Sequence, residues 1–214
     1  MTIDKALQAL EAFQGDSLTG SLSDIERLIV GSGVENVDDF CATRGINGDF
    51  MDSAIAIKRV AGQINVIIHA AGILRSLSGL LEPEEKVESV SLGAGNTGRQ
   101  FDLETTIRVA EYKFIDWQGG SESIRQNGIF KDFFELAEHE TDKKKYLYVV
   151  GTEYPLKFFN GGRALTSVLS RNPKILEHIK EKYGDSVSRV RDYYEMKKHD
   201  VRICDVTPYI GRKT

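Results

Sequence analysis

Residues 101–115 read FDLETTIRVAEYKFI, and this stretch decides the fold. It is rich in the β-branched and aromatic residues that are typical of strands. We predict one strand over Phe101–Glu104 and a second over Ile107–Ile115, joined by a tight connection at Thr105-Thr106. A hairpin around that connection carries Asp102 alongside the second strand.

Three charged side chains of this hairpin are candidates for chemistry. Side chains alternate between faces along a strand, so Glu111 and Lys113 share one face. Strand twist can bring the carboxylate of Asp102 towards that of Glu111. The alternative is a hairpin whose charges face solvent. Here, however, the charges interrupt an otherwise apolar strand, and buried charges need a partner or an ion.

Two converging carboxylates repel each other unless a cation neutralises them. Mg²⁺ prefers oxygen ligands and often takes only one or two carboxylates, which leaves positions for water and phosphate. We predict a Mg²⁺ site, in which Mn²⁺ can substitute, held by Asp102, Glu111 and the backbone carbonyl of Tyr112. Lys113 beside it can position or deprotonate the attacking water, or stabilise negative charge that builds on a phosphate.

This order of features resembles the PD-(D/E)XK nuclease superfamily over residues 86–151. An acidic residue on one strand is followed by a short hairpin, by Glu-x-Lys on the next strand, and then by a helix and a further strand. The resemblance implies that Asp102 and Glu111 are metal ligands and that Lys113 is the catalytic lysine. Gln100-Phe101 precede Asp102 in place of the nominal proline of the family.

Members of that superfamily often carry further polar residues that face the site. The helix after Glu-x-Lys holds Gln126, a candidate catalytic residue, together with Arg125 and Lys131, candidate nucleic-acid contacts. For each of these the alternative is a solvated helix face. Glu88 on the strand before the hairpin is a candidate acidic residue, with a surface position as its alternative, and for Glu104 a role in the turn is favoured.

The rest of the chain predicts helices on both sides of this hairpin. Apolar residues recur at helical spacing in two helices within residues 2–31 and in a long helix over Asp52–Leu81 that Gly62 or Gly72 interrupts. The other predicted elements are a strand at Val87–Leu92, a helix from Ser121 to Glu138, a solvated basic turn at Lys143–Lys145, a strand at Tyr146–Val150, helices at Pro155–Ser170, Pro173–Tyr183 and Ser186–Lys198, and a strand at Val201–Val206.

The predicted fold class is α/β, with a restriction-endonuclease-like mixed β-sheet flanked by helices and a helical N-terminal extension. Residues 1–85 form the helical region, packed on the core, and residues 86–214 form the nuclease-like core. The chain has 214 residues, 41% of them hydrophobic, which is ample for a packed core. Its net charge of −4 excludes the global basic field of a protein that coats DNA nonspecifically.

A glycine-rich segment, Gly93–Gly98, offers a rival interpretation because it fits the GxGxxG pattern of dinucleotide-binding proteins. Asp116 then lies where a ribose-binding carboxylate is expected. That interpretation requires Arg99–Ala110 to be a helix, which the β-branched cluster at 105–107 disfavours. We favour a glycine loop beside the active site, with Arg99 contacting phosphate.

The predicted function is Mg²⁺-dependent hydrolysis of phosphodiester bonds by an endonuclease, with DNA favoured over RNA, in restriction, repair or phage defence. A non-catalytic module that binds nucleic acid or protein on the same fold is the other alternative. The intact set of Asp102, Glu111 and Lys113 argues against it. The amphipathic segment Ile3–Val30 leaves open a homodimer or a protein partner that contacts the N-terminal helices.

The chain shows no signal peptide, and its most apolar stretch, Ile64–Leu74, is shorter than a bilayer span. We therefore expect a soluble, cytoplasmic protein without a membrane partner. Cys41 and Cys204 have no Cys or His at metal-ligand spacing, so buried, reduced thiols are expected. His69 lies on the long apolar helix and is expected to be a packed or surface histidine.

Overall fold

The computed structural model describes residues 3–31, 33–93, 98–115, 117 and 123–211. Four helices come first in the chain: α1 (Ile3–Gln14), α2 (Leu18–Ile29), α3 (Val34–Arg44) and α4 (Gly48–Leu80). The two N-terminal helices and the long helix are confirmed. Helix α3 was not predicted, because its sequence carries little amphipathic pattern. The interruption predicted at Gly62 or Gly72 is wrong, since α4 runs through both residues.

The chain divides into two compact units, Met1–Asn65 and Val66–Thr214, and the division falls within α4. Among the described residues of the first unit, only Ala6 and Ser53 are buried. The second unit contains the sheet and two apolar clusters. The sequence placed the division after residue 85 instead. The C-terminal part of α4 belongs with the sheet because its apolar side chains pack there.

Helix α4 is the one described helix that is long and apolar enough to cross a membrane by length and composition. The mean hydropathy over an 18-residue window is 1.3, and 17% of that window is buried. The sequence had indicated only the short apolar stretch Ile64–Leu74. The helix around it has 33 residues because it continues through Gly62 and Gly72. One such helix is weak evidence for a membrane span, and the soluble, cytoplasmic character of the protein stays a prediction.

A five-stranded mixed sheet forms the centre of the second unit. Its strands are β1 (Val87–Val90), β2 (Leu103–Thr105), β3 (Arg108–Lys113), β4 (Lys144–Val149) and β5 (Val201–Asp205), and they lie in the order β1-β2-β3-β4-β5. The first three strands pair antiparallel, whereas β3, β4 and β5 pair parallel. The predicted α/β class with a mixed sheet is therefore confirmed.

Six further helices follow the hairpin: α5 (Ser123–Glu138), α6 (Glu153–Phe159), α7 (Leu165–Val168), α8 (Pro173–Tyr183), α9 (Val190–Lys197) and α10 (Thr207–Ile210). The single helix predicted over Pro155–Ser170 is wrong. Helix α6 ends at Phe159 instead. The chain then turns at Gly161, where any other residue would place its Cβ 2.9 Å from the carbonyl oxygen of Phe158. The basic turn predicted at Lys143–Lys145 is also wrong in part, because β4 begins at Lys144 and pairs there with Arg108.

Helices cover both faces of the sheet. On one face, Ile73 and Leu77 of α4 pack against Tyr112, Phe114 and other aromatic residues of the strands. On the opposite face, Phe130 and Phe133 of α5 belong to the larger cluster, which includes Val109, Leu147 and Val149. Side chains of β3 alternate between the two faces. Glu111 and Lys113 therefore share the α5 face with Val109, at the centre of the sheet.

The connection between α4 and β1 is anchored by an ion pair to the start of β3. Arg108 Nε donates to Glu85 Oε1 at 2.5 Å, and Arg108 Nη2 donates to Oε2 at 2.5 Å. The Glu85 side chain is fully buried. Burial opposes its ionisation, but the hydrogen bonds from Arg108 and Thr105 keep the pKa of Glu85 below its ordinary value. This pair fixes β1 at the edge of the sheet.

The helix that dinucleotide binding would require over Arg99–Ala110 does not form. Residues 103–105 and 108–113 form antiparallel strands, as the hairpin interpretation predicted. The predicted connection at Thr105-Thr106 is wrong, because Thr105 belongs to β2 and the turn lies at Thr106-Ile107. Residues 94–97 of the glycine loop, Asp116 and Ser121 lie outside the described residues. Cys41 and Cys204 form no disulfide, and both are only partly buried.

Candidate metal and catalytic site

Asp102 and Glu111 meet across the hairpin. In the ladder between β2 and β3, Leu103 is paired with Ala110 and Glu104 with Val109. One step further along the same register places Asp102 opposite Glu111. Asp102 itself lies immediately before β2 and not within the predicted strand, although its backbone carbonyl still accepts a hydrogen bond from Ser91 N at 2.8 Å. Directly opposed residues have their Cβ atoms about 5 Å apart.

The Asp102 carboxylate is held by two donors from different elements. Oδ2 accepts from the backbone N–H of Tyr112 at 3.0 Å, and Oδ1 lies 3.2 Å from Nε2 of His69 on α4. Burial opposes its ionisation, but the hydrogen bonds with His69 and Tyr112 outweigh burial and lower the pKa of Asp102. Asp102 is thus a carboxylate at neutral pH.

Glu111 lies in the opposite electrostatic situation. Glu111 is only 8% exposed. Burial, followed by the negative charges of Asp102 and Asp132, raises the pKa of Glu111 to about 9. Its neighbours therefore provide more negative charge than Lys113 offsets. A cation bound between Asp102 and Glu111 would offset the part of this pKa shift that comes from neighbouring negative charge.

Lys113 forms an ion pair with Asp132 of α5, through Nζ and Oδ2. The lysine side chain is 35% exposed, whereas the aspartate side chain is 9% exposed. Burial disfavours the charge on Lys113, but contact with Asp132 outweighs burial and raises the pKa of the lysine. The cationic end of Lys113 is therefore fixed next to Glu111 and still reaches solvent.

The site fits the ligand requirement of Mg²⁺ with few protein ligands. Among the described residues, no group of three or more His, Cys, Asp or Glu side chains is placed to hold a metal ion. Two carboxylates suffice for Mg²⁺, which keeps several waters. The N–H and C=O of one residue in a strand point the same way. Because the Tyr112 N–H points to Asp102, the Tyr112 carbonyl lies on that side too.

The four polar residues predicted around the site have different surroundings. Arg125 lines a cavity together with Lys113. Gln126 is buried and accepts a hydrogen bond from Arg163, so it connects α5 to the segment between α6 and α7. Lys131 Nζ lies 3.3 Å from Glu135 Oε1, one turn further along α5. Arg99 donates a hydrogen bond to the backbone carbonyl of Val90. Their contacts with nucleic acid, and a catalytic role for Gln126, stay predictions.

The two remaining acidic candidates form ion pairs away from Asp102. Glu88 on β1 and Glu104 on β2 lie 2.5 and 2.7 Å from Nζ of Lys143. The sequence had favoured a role in the turn for Glu104, but this residue belongs to strand β2. Lys143 forms an ion pair with each carboxylate, and both glutamate side chains are partly exposed, unlike the buried carboxyl group of Glu111.

The sequence did not indicate the two residues that complete the site, His69 and Asp132. His69 precedes Asp102 by 33 residues and lies on another element, so no local pattern connects the two. Asp132 did leave a signal. It lies between Ile129 and Phe133 on the apolar side of α5, and a buried charge there requires a partner.

In comparisons with known proteins, no family model, no curated protein and no solved structure matches this chain. The chemistry of the site is therefore inferred from the contacts of its own residues.

Proposed function

We propose that this protein is a metal-dependent nuclease that hydrolyses phosphodiester bonds of nucleic acid, with DNA favoured over RNA. The observation that carries the proposal is the group formed by Asp102, Glu111 and the Lys113–Asp132 ion pair. Two carboxyl groups converge there, burial and the charges of Asp102 and Asp132 raise the pKa of Glu111 to about 9, and a fixed cation lies beside them. Hydrolysis of a phosphodiester needs these components.

The order of elements supports the same proposal. Helix α4 packs on one face of three antiparallel strands, α5 follows on the other face, and β4 pairs parallel with β3. This arrangement resembles the restriction-endonuclease-like core, with the acidic residue and Glu-x-Lys on neighbouring strands. We propose that residues 66–214 have that fold.

Each site residue has a separate task in this proposal. Asp102, Glu111 and the Tyr112 carbonyl would hold Mg²⁺, which when bound supplies positive charge to the phosphate and acidifies bound water. Water adds to phosphorus and gives up a proton to solvent, while the bond from phosphorus to the leaving oxygen breaks and that oxygen takes a proton from solvent. Lys113 Nζ donates to the phosphate oxygens as they gain negative charge. His69 orients Asp102, and Asp132 orients Lys113.

The direct test is cleavage of duplex DNA, single-stranded DNA and RNA with and without Mg²⁺. We expect cleavage with Mg²⁺ or Mn²⁺, none in EDTA, and none for Asp102→Asn or Glu111→Gln. Lys113→Met should bind Mg²⁺ normally in calorimetry but cut about 10²–10³-fold more slowly, because it loses charge stabilisation and not a ligand. Activity in Glu111→Gln, or cleavage in EDTA, would contradict the proposal.

Glu104→Gln is the matched control, because it removes a carboxylate from the same hairpin that is already paired with Lys143. This variant should cut at the rate of the unmodified protein. Metal-free thermal unfolding separates lost chemistry from lost fold. Glu111→Gln should unfold at the same temperature or higher, because the raised pKa keeps Glu111 protonated without metal, and the neutral amide keeps that uncharged state without the cost of holding a proton there.

A further inference from the structure

A cavity of about 220 Å³ opens beside the catalytic lysine. It lies where the carboxyl ends of β3 and β4 meet the first turns of α5, and Lys113 forms part of its wall. Apolar side chains dominate the described lining: Ile115, Ile124, Ile129, Val149, Val150 and Pro155. Concave, mostly apolar sites with a few polar groups are the usual form of ligand pockets.

Trp117, on the cavity wall, carries a hydrogen-bond donor that has no acceptor among the described residues. The residue lines the cavity and is only 8% exposed. Within the part of the chain that the structure describes, its indole Nε1 is buried and has no hydrogen-bond acceptor. A buried donor without an acceptor is costly, so such groups are rare unless a water or ligand completes them. The cavity therefore favours a ligand with an acceptor atom.

Size and position narrow the class of ligand further. An apolar cavity of roughly 150 Å³ accommodates benzene, so 220 Å³ suits a single six-membered ring with substituents. Two cationic side chains, Lys113 and Arg125, also line the cavity. A planar ring with carbonyl oxygens, attached to a phosphate, matches the apolar walls, the indole donor and these cations.

We propose that this cavity takes one pyrimidine base of the strand that is cut, next to the phosphate at Lys113. The proposal rests on the proposed nuclease function and names its substrate class. A base can enter only when it is unstacked and unpaired, so the substrate is single-stranded nucleic acid or a frayed or flipped nucleotide. A base carbonyl oxygen accepts the hydrogen bond from Trp117 Nε1.

The chain contains a single tryptophan, so its fluorescence reports on the cavity directly. We would titrate the protein in EDTA, where no cleavage occurs, with dCMP, dTMP, dAMP, dGMP and deoxyribose 5-phosphate. Saturable changes are expected for the two pyrimidine nucleotides, weaker binding for the purines, and none for the sugar phosphate. No saturable change with any nucleotide, tighter binding of purines, or an equal response to the sugar phosphate would overturn the proposal.

Gly128 on the cavity wall offers a variant that closes the site. A Cβ added there meets no described atom within 4 Å, so a larger side chain has room to enter the cavity. Gly128→Leu should weaken dCMP binding more than tenfold, and Gly128→Ala, the matched control, much less. Trp117→Phe keeps an aromatic ring but loses the donor. Measured by calorimetry, it should bind about three- to tenfold more weakly. Unchanged binding in Gly128→Leu would place the nucleotide elsewhere.

The two proposals fail in different ways. Nucleotide binding in EDTA without any Mg²⁺-dependent cleavage would remove the nuclease function and with it the role given to the bound base. Cleavage without nucleotide binding, and with no preference for single strands, would remove only the cavity proposal. Gly128→Leu distinguishes these cases on the same protein, because it changes the cavity without altering Asp102, Glu111 or Lys113.

Discussion

Within the part of the chain that the structure describes, Lys113 is held by its ion pair with Asp132. The lysine side chain leaves β3 on the face that α5 covers, where the Asp132 carboxylate meets it. Asp132 contacts the site through Lys113, and its negative charge contributes to the raised pKa of Glu111. We therefore regard Asp132 as a positioning residue that acts through Lys113.

We predict that Asp132→Asn lowers the cleavage rate about 10–100-fold while Mg²⁺ affinity and KM change little. The pH profile shows the cause. Asp132 raises the pKa of Lys113, so without it the lysine loses its proton at lower pH. The alkaline fall of the rate should move to lower pH. Asp132→Glu should restore much of the rate, and an unshifted profile in Asp132→Asn would show that the residue is only structural.

Asp132→Asn should also reduce stability, but by less than the roughly 3–5 kcal/mol lost when a fully buried pair is broken. The Lys113 side chain is 35% exposed, so water can solvate it when the carboxylate is gone. Chemical denaturation at pH 7 measures this change in the free energy of unfolding.

At the scale of elements, Gly72 allows α4 to pack closely against the sheet. A Cβ on Gly72 would lie 2.5 Å from the ring of Phe114, which is itself buried. A Cβ on Gly62, in the same helix, meets no described atom within 4 Å. The same residue type thus has two roles in one helix. At position 72 it allows contact between helix and sheet, and at position 62 it has no such contact.

Substitution by alanine should separate these roles. Gly62→Ala should stabilise the protein by about 0.5–1 kcal/mol, because alanine favours a helix more than glycine does. Gly72→Ala gains the same helix propensity but pushes against Phe114, and overpacking of a core typically costs about 1–3 kcal/mol. We expect a net loss of stability in denaturant unfolding. Equal stabilisation by both substitutions would contradict the close packing of α4 on β3.

At the scale of the whole molecule, burial is distributed unevenly between the two units. Only Ala6 and Ser53 are buried among the described residues up to Asn65, whereas Ile3, Leu28, Val34 and Ile55 are at least half exposed. The second unit buries most of β3 and β4 and the aromatic residues of α5. Local stability follows the number of buried apolar contacts, so the first unit is expected to open independently.

Hydrogen exchange of the full chain measures this difference. We predict that amides of α1, α2 and α3 exchange at least ~10²-fold faster than those of β3 and β4, because they lack a buried core. The measurement should be repeated at several protein concentrations. Equal protection of both units would contradict the prediction. Protection of the first unit that rises with concentration would show that a second copy covers its exposed apolar residues.

The sequence by itself determined the local parts of the fold and of the candidate site. The β-branched residues of 101–115 predict an antiparallel hairpin, and alternation along its second strand puts Lys113 on the same face as Glu111. These relations are local, so residue types alone predict them. The register that opposes Asp102 to Glu111 is seen only in the structure, because the connection lies at Thr106-Ile107 and not at the predicted Thr105-Thr106.

Only the tertiary structure decided which distant side chains complete that group. His69 reaches Asp102 because α4 packs on one face of the sheet, and Asp132 reaches Lys113 because α5 packs on the other. The order of β3, β4 and β5 is likewise set by how helices cross between parallel strands. Such contacts depend on the burial of whole faces, and no local sequence pattern records which face meets which.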